Sequence, residues 1–216
     1  MIKKYSILIF TLLLIVSNGI SQEDEIIPLE IKKWTIKSIV FSQPYSFETD
    51  NSLPLFFTGI GAKRNFDKMS YRISFEHINY IKEIESSFQK GFFKENTGRI
   101  GAGYKLSNND LINLNIFLDA TLSQLKQEAN TNNLDSNINL FESYEGFGIG
   151  AIIGIGFDYF ITPSFSLSLE TRLDLMHITG DYHKEDFFNR YSVNYFTSSN
   201  KLNLNLLGNF SVNYHF

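Results

Sequence analysis

The chain has 216 residues, a net charge of -4, a mean hydropathy of -0.11 and an aromatic content of 15%, led by Phe and Tyr. It contains no cysteine, which excludes a disulfide framework, a thiolate-ligated metal site and lipidation of a mature N-terminal cysteine. The acidic balance excludes a nucleic-acid-binding surface.

The first segment, MIKKYSILIFTLLLIVSNGISQ, sets Lys3 and Lys4 ahead of an apolar run from Tyr5 to Val16. That run is too short for a spanning helix, which takes about 20 apolar residues. Gly19 and Ser21 sit where a signal peptidase reads small residues, so residues 1–21 read as a signal peptide and Gln22 as the mature start. An acidic periplasmic leader, 22–32, follows, and the rest, 33–216, is one domain's length.

Eight segments of alternating hydrophobicity come next. They lie at about 33–43, 55–66, 69–81, 97–106, 111–125, 146–160, 165–178 and from about 200 to the last residue. Three connections are tight: Asp67-Lys68, SNND and ITPS, built from residues that tolerate turn geometry. The other four, QPYSFETDNSLP, KEIESSFQKGFFKEN, KQEANTNNLDSNINLFESYE and TGDYHKEDFFNRYSVNYFTSS, are long and polar with scattered aromatics. Short turns on one side and long loops on the other are the asymmetry of an outer-membrane barrel, whose short turns face the periplasm.

Parity tests that reading. In segment 5, Ile112, Leu114, Ile116, Leu118, Ala120 and Leu122 share one face, and Asn113, Asn115, Phe117, Asp119 and Thr121 the other. Segment 7 sets Phe165, Leu167, Leu169, Leu173 and Leu175 against Ser166, Ser168, Glu170, Arg172 and Asp174. Segment 6 opposes bulky apolar residues to Gly148, Gly150, Gly154 and Gly156, so the polar face is also the small one. The last segment sets Leu202, Leu204, Leu206, Gly208, Phe210, Val212 and Tyr214 on one face. Segment 1 departs from the pattern, since Ile39 and Phe41 share parity with Thr35 and Lys37, which points to a bulge or to an end above the membrane.

A soluble eight-stranded barrel such as a lipocalin alternates too, with its apolar face turned inward. Here the bulky apolar face is nearly free of charge, while the other carries Arg72, Glu76, Arg99, Lys105, Asp119, Glu170, Arg172 and Asp174. Mixed signs suit a self-neutralising interior, because buried charges must be paired. Tyr159, Phe160, Phe165, Tyr214 and Phe216 gather at the expected periplasmic rim, as an aromatic girdle does. The fold class that follows is all-β: an eight-stranded antiparallel up-and-down transmembrane β-barrel with short periplasmic turns and long extracellular loops.

With the signal peptide ending ISQ, eight alternating segments and the terminal FSVNYHF, the chain resembles the eight-stranded outer-membrane barrels of Gram-negative bacteria, in style those of the Bacteroidetes. The resemblance implies location in the bacterial outer membrane after export by a cleaved signal peptide. It implies contact with outer-membrane lipids and lipopolysaccharide, and a last strand that closes against the first. It also makes Phe210, Val212, Tyr214 and Phe216 similar to the C-terminal signal read by the barrel-assembly machinery.

An eight-stranded barrel is about filled by its own side chains, so the charged face reads as a structural network and a narrow conduit as the sharper alternative. His183 lies among Asp181, Glu185 and Asp186 without an orderly ligand spacing, so neither a metal nor a cofactor is assigned. His77 in EHINY resembles the outer-wall histidine of lipid A deacylases. The serine of their His-x-Ser pair is replaced here by Asn79, which is no nucleophile. No catalytic residue is assigned. The expectation is a non-enzymatic outer-membrane protein with a structural or binding role through its surface loops and an extracellular or periplasmic partner that the residues do not name.

Overall fold

The computed structural model describes residues 33–42, 58–84, 89–107, 111–133, 138–187 and 189–216. The expected signal peptide and leader lie outside them. The described residues form eight strands: β1 (Trp34–Ser42), β2 (Gly59–Phe66), β3 (Met69–Ile84), β4 (Gln89–Lys105), β5 (Ile112–Asn133), β6 (Ile138–Thr162), β7 (Phe165–Asp186) and β8 (Tyr191–His215). Each pairs antiparallel with its sequence neighbour, and β8 pairs with β1 from Thr35↔His215 to Ser42↔Asn209, closing the barrel. At the seam Trp34 N donates to Phe216 O, and Phe216 N to Trp34 O, both at 3.0 Å. Closure leaves no free edge along this stretch, which a lipid environment requires of a sheet.

The tight turns follow from their residues. Asp67 takes the left-handed conformation (φ 38°) in the two-residue β2–β3 hairpin, a conformation that Asp tolerates because its short polar side chain can bond locally. Pro163 occupies the β6–β7 turn, where Thr162 Oγ1 accepts from the backbone N–H groups of Ser164 and Phe165.

The opposite end departs from the expected long loops. β3 and β4 pair out to Ile84↔Gln89, β5 and β6 to Asn133↔Ile138, and β7 and β8 to Asp186↔Tyr191. Most of three polar "loops" is therefore strand; the β1–β2 connection, 43–58, lies outside the described residues except for Thr58. The barrel has a short-turn end and a tall end, where six strands rise past β1 and β2.

Lipid-facing and lumen-facing sides are settled by exposure. Ile73, Ile100, Leu118, Ile149, Leu175 and Leu204 stand 56–66% exposed on the outer wall, while Glu76, Arg99, Asp119, Glu170, Arg172 and Asp174 are at most 3% exposed inside. On β7 the apolar belt runs from Phe165 to Leu175; ten steps of about 3.3 Å at a tilt of about 40° span roughly 25 Å, the height of an outer-membrane apolar band. Aromatics ring its lower edge. Arg64 lies over Trp34 and Phe66, with Cζ 5.3 and 4.8 Å from the ring centroids, and Phe165, Tyr214 and Phe216 stack in series. Phe160 does not join them. It lies 4.9 Å from the His215 ring on the lumen side.

Two irregularities matter. In β1 the register steps from Ile39↔Ser211 to Phe41↔Phe210, so Val40 is a bulge; Ile39 points inward with Thr35 and Lys37, and Ser42 is the next residue buried inside. In β8 the register steps from Glu170↔Asn209 to Arg172↔Asn205, which puts two extra residues on β8. Gly208 is consequently turned to the lumen instead of the lipid. A Cβ there would lie 2.7 Å from Arg172 Cγ and 2.8 Å from Cδ, so glycine leaves the arginine its room.

Candidate functional site

The alternation of each strand delivers its polar side chains to one lumen, and the residues meet in layers. Nearest the short turns, His215 bridges Thr35 Oγ1 at 2.9 Å and Ser166 Oγ at 2.8 Å. Above it Lys63 Nζ lies 3.2 Å from Asp158 Oδ2, and Ser168 donates to the other oxygen of that carboxylate. The next layer centres on Glu170, whose two oxygens take Lys37 Nζ at 2.5 Å and Arg72 Nη2 at 3.0 Å. Arg72 also faces Asp119, Nε to Oδ1 at 3.2 Å, and stacks over Phe117 with Cζ 4.0 Å from the ring centroid. Higher still are Arg99 with Glu76 (2.6 Å) and Arg172 with Asp174 (3.2 Å), the carboxylates further bonded by Ser42 and Asn205.

The lumen thus sets Lys37, Lys63, Arg72, Arg99 and Arg172 against Glu76, Asp119, Asp158, Glu170 and Asp174, each with an opposite charge in reach, and buries a further acid, Glu95, to which Thr97 Oγ1 donates at 2.9 Å. Lys105, also singled out by parity, is half-buried at the turn end of β4, opposite Asn115. Lys37, Lys63 and Asp158 complete the layers without having been singled out. Asp158 was within reach of the sequence, because it shares the parity of Gly154 and Gly156.

Polar parity misled in one respect. Ile78, Phe93, Phe117, Leu125, Ile152, Met176 and Ile178 also face inward, each at most 3% exposed, and form an apolar plug toward the tall end. The glycine face of β6 makes room for this plug: a Cβ on Gly154 would lie 2.4 Å from Phe117 Cζ, and one on Gly150 2.5 Å from Met176 Sδ.

On the outer wall His77 Nδ1 meets Asn96 Oδ1 at 2.7 Å, across the strands. His177 and His183 meet Asn200 and Asn194 in the same way, at 2.8 and 2.5 Å. His77 has an amide partner, whereas His177 Nε2 also lies 3.5 Å from Ser198 Oγ and His183 Nε2 3.8 Å from Glu185 Oε2; Ser74 lies on the opposite parity to His77. Among the described residues no three His, Cys, Asp or Glu side chains gather as a metal site requires. Val212, Tyr214 and Phe216 face outward at the seam, 38–51% exposed, while Phe210 is half-buried between Phe41 and Leu169 in the register.

Beyond the plug, the tall strands hold a cavity of about 280 Å³. Phe93, Leu125 and Ile178 floor it; Gln127, Glu142, Tyr144, Tyr182, Thr197, Ser199 and Lys201 are among its walls. Tyr144 lies over the paired Gly146 and Gly180, where any Cβ would strike its ring. Glu142 takes Lys184 Nζ at 2.9 Å and a hydrogen bond from Tyr182. Partial burial pulls the Glu142 carboxyl upward, but those two donors outweigh it and hold its pKa below the ordinary value. Burial, with the Glu142 hydrogen bond next, pushes the Tyr182 phenol up.

With this geometry the chain compares with solved structures. A major outer membrane protein from Thermus thermophilus superposes with a TM-score of 0.51 at 12% identity, over 87% of this chain and 100% of that one. The chain has the fold of the outer-membrane barrels. Ail, the attachment invasion locus protein of Yersinia pestis, aligns over the same shares at 14% identity with a TM-score of 0.44. No protein-family model and no curated protein matches.

Proposed function

We propose that the chain is a non-enzymatic protein of the bacterial outer membrane that supports the envelope and binds a partner at its tall end, which faces outward. The observation that carries this reading is the division of the lumen: ion-pair layers and an apolar plug fill the membrane portion, and side chains with hydrogen-bonding capacity line an accessible cavity above it. A filled lumen favours a scaffold over a conduit. Asn79 in place of a nucleophile, and an amide as the partner of His77, favour binding over acyl-ester hydrolysis.

The outward Val212, Tyr214 and Phe216 at the closing seam support recognition by the barrel-assembly machinery, and the apolar belt supports contact with outer-membrane lipid and lipopolysaccharide. Export by cleavage after Ser21 predicts Gln22 at the mature N-terminus, which mass spectrometry of the membrane-extracted protein checks.

The test is to refold residues 22–216 into vesicles containing lipopolysaccharide and compare boiled with unboiled gel mobility. A faster unboiled band, intact lipid acyl chains in the wild type and in His77→Ala, and no solute flux support the reading. Acyl release that His77→Ala abolishes replaces it with the lipid-modifying enzyme, and flux replaces it with the conduit.

A further inference from the structure

Resting on the reading of the tall end as a binding end, we propose that the mouth cavity is a site for a small amphipathic carboxylate, with its tail against the apolar floor and its head against Lys201. The floor decides the tail. Phe93, Leu125 and Ile178 are 2–3% exposed, so a ligand hydroxyl driven against them would lose water and find no polar partner, whereas an alkyl or aryl group gains by burial there.

The walls decide the head. Glu142 has its charge met by Lys184 and its oxygens engaged by Lys184 and Tyr182, so it offers little to a cation. Lys201 makes no ion pair among the described residues while lining the cavity, and Ser199 stands two residues away on the same face of β8. The hydroxyl stands across from Ile178 and the ammonium one inward position further toward the turn end, across from Met176, so both border the apolar floor and match a carboxylate attached to a short tail. A charge-assisted bond to the ammonium supplies both affinity and discrimination against neutral analogues. The volume of about 280 Å³ lies at the lower edge of the range for drug-sized ligands, about 300–1,000 Å³, which limits the site to small acids and excludes a whole glycolipid.

The experiment uses the barrel in nanodiscs of neutral lipid, with empty nanodiscs as blank, titrated calorimetrically with hexanoate, hexanol, hexylammonium and glucuronate. Hexanoate is expected to bind at least about tenfold tighter than the other three. Lys201→Gln is expected to erase that advantage, and Ser199→Trp, which fills the cavity, to abolish binding. Each variant is first checked for the fast unboiled band, so a folding failure is not read as a binding one. Equal binding of hexanoate and hexanol, or hexanoate affinity unchanged in Lys201→Gln, overturns the proposal. If the wild type gives no fast band in lipid, the barrel reading fails; if it does and hexanoate does not bind, only the assignment of this cavity fails.

Discussion

Arg72 is the residue at which a packed lumen is most open to test. Its guanidinium lies 3.0 Å from Glu170, 3.2 Å from Asp119 and 4.0 Å from the Phe117 centroid, with its side chain 10% exposed. Arg72→Met keeps much of the aliphatic bulk and removes the charge. Glu170 retains Lys37 at 2.5 Å, but Asp119 loses its closest cation. Leaving one buried charge uncompensated costs about 3–5 kcal/mol, and the lost cation–π contact adds up to about 2. Arg72→Met is therefore expected to destabilise the barrel by about 3–7 kcal/mol. Adding Asp119→Asn removes the stranded charge and should return about 1–3 kcal/mol of that loss.

The chain's single tryptophan, Trp34, sits at the closing seam, so its fluorescence during urea unfolding in lipid reports closure directly, with the unboiled gel band as a second probe. A loss below about 1 kcal/mol for Arg72→Met would show that water or mobile ions solvate these charges and that the lumen is not packed. Additive single and double variants would refute the Arg72–Asp119 coupling.

Gly154→Ala should lower stability by about 1–3 kcal/mol through overpacking, because the new Cβ meets Phe117 Cζ at 2.4 Å and Thr171 O at 2.5 Å; the same urea titration reads it, and a neutral result would mean Phe117 lies elsewhere. The filled lumen should give no steady conductance steps in planar bilayers, and regular steps would contradict the plug formed around Ile152 and Met176. Since Glu142 has its folded pKa depressed, the contact with Tyr182 and Lys184 contributes stability above the unfolded carboxyl value of about 4.3 and loses it as pH falls through the lower folded value. A carboxyl NMR titration of Glu142 should show a midpoint below about 4.3, moving up toward it in Tyr182→Phe.

The strand starts and stops at the turn end were legible to within a residue or two, because there each strand has lipid on one side and lumen on the other and its alternation must hold. At the tall end both faces meet water, alternation has no physical cause, and residues such as Gln127 to Asn133 read as loop while pairing as strand. The β1 bulge showed as a parity fault, since one extra residue exchanges the faces. The β8 bulge hid, because two extra residues restore parity on either side. Charged lumen residues were visible by sign and parity. Ile78, Ile152 and Met176 were not, since an apolar side chain can face lipid or a dry plug equally well.

The pairing of β5 with β6 out to Asn133↔Ile138 also fixes a height. Eleven residues of β5 stand above Leu122, the last lipid-facing leucine of that strand; at the same rise and tilt they reach about 28 Å beyond the belt, well past the roughly 5–8 Å interfacial layer of an ordinary bilayer. A hydrogen-bonded ribbon holds that height without the entropy cost of straightening a coil. The barrel is in effect a pedestal, and a large approaching surface touches its raised crown before it touches the membrane.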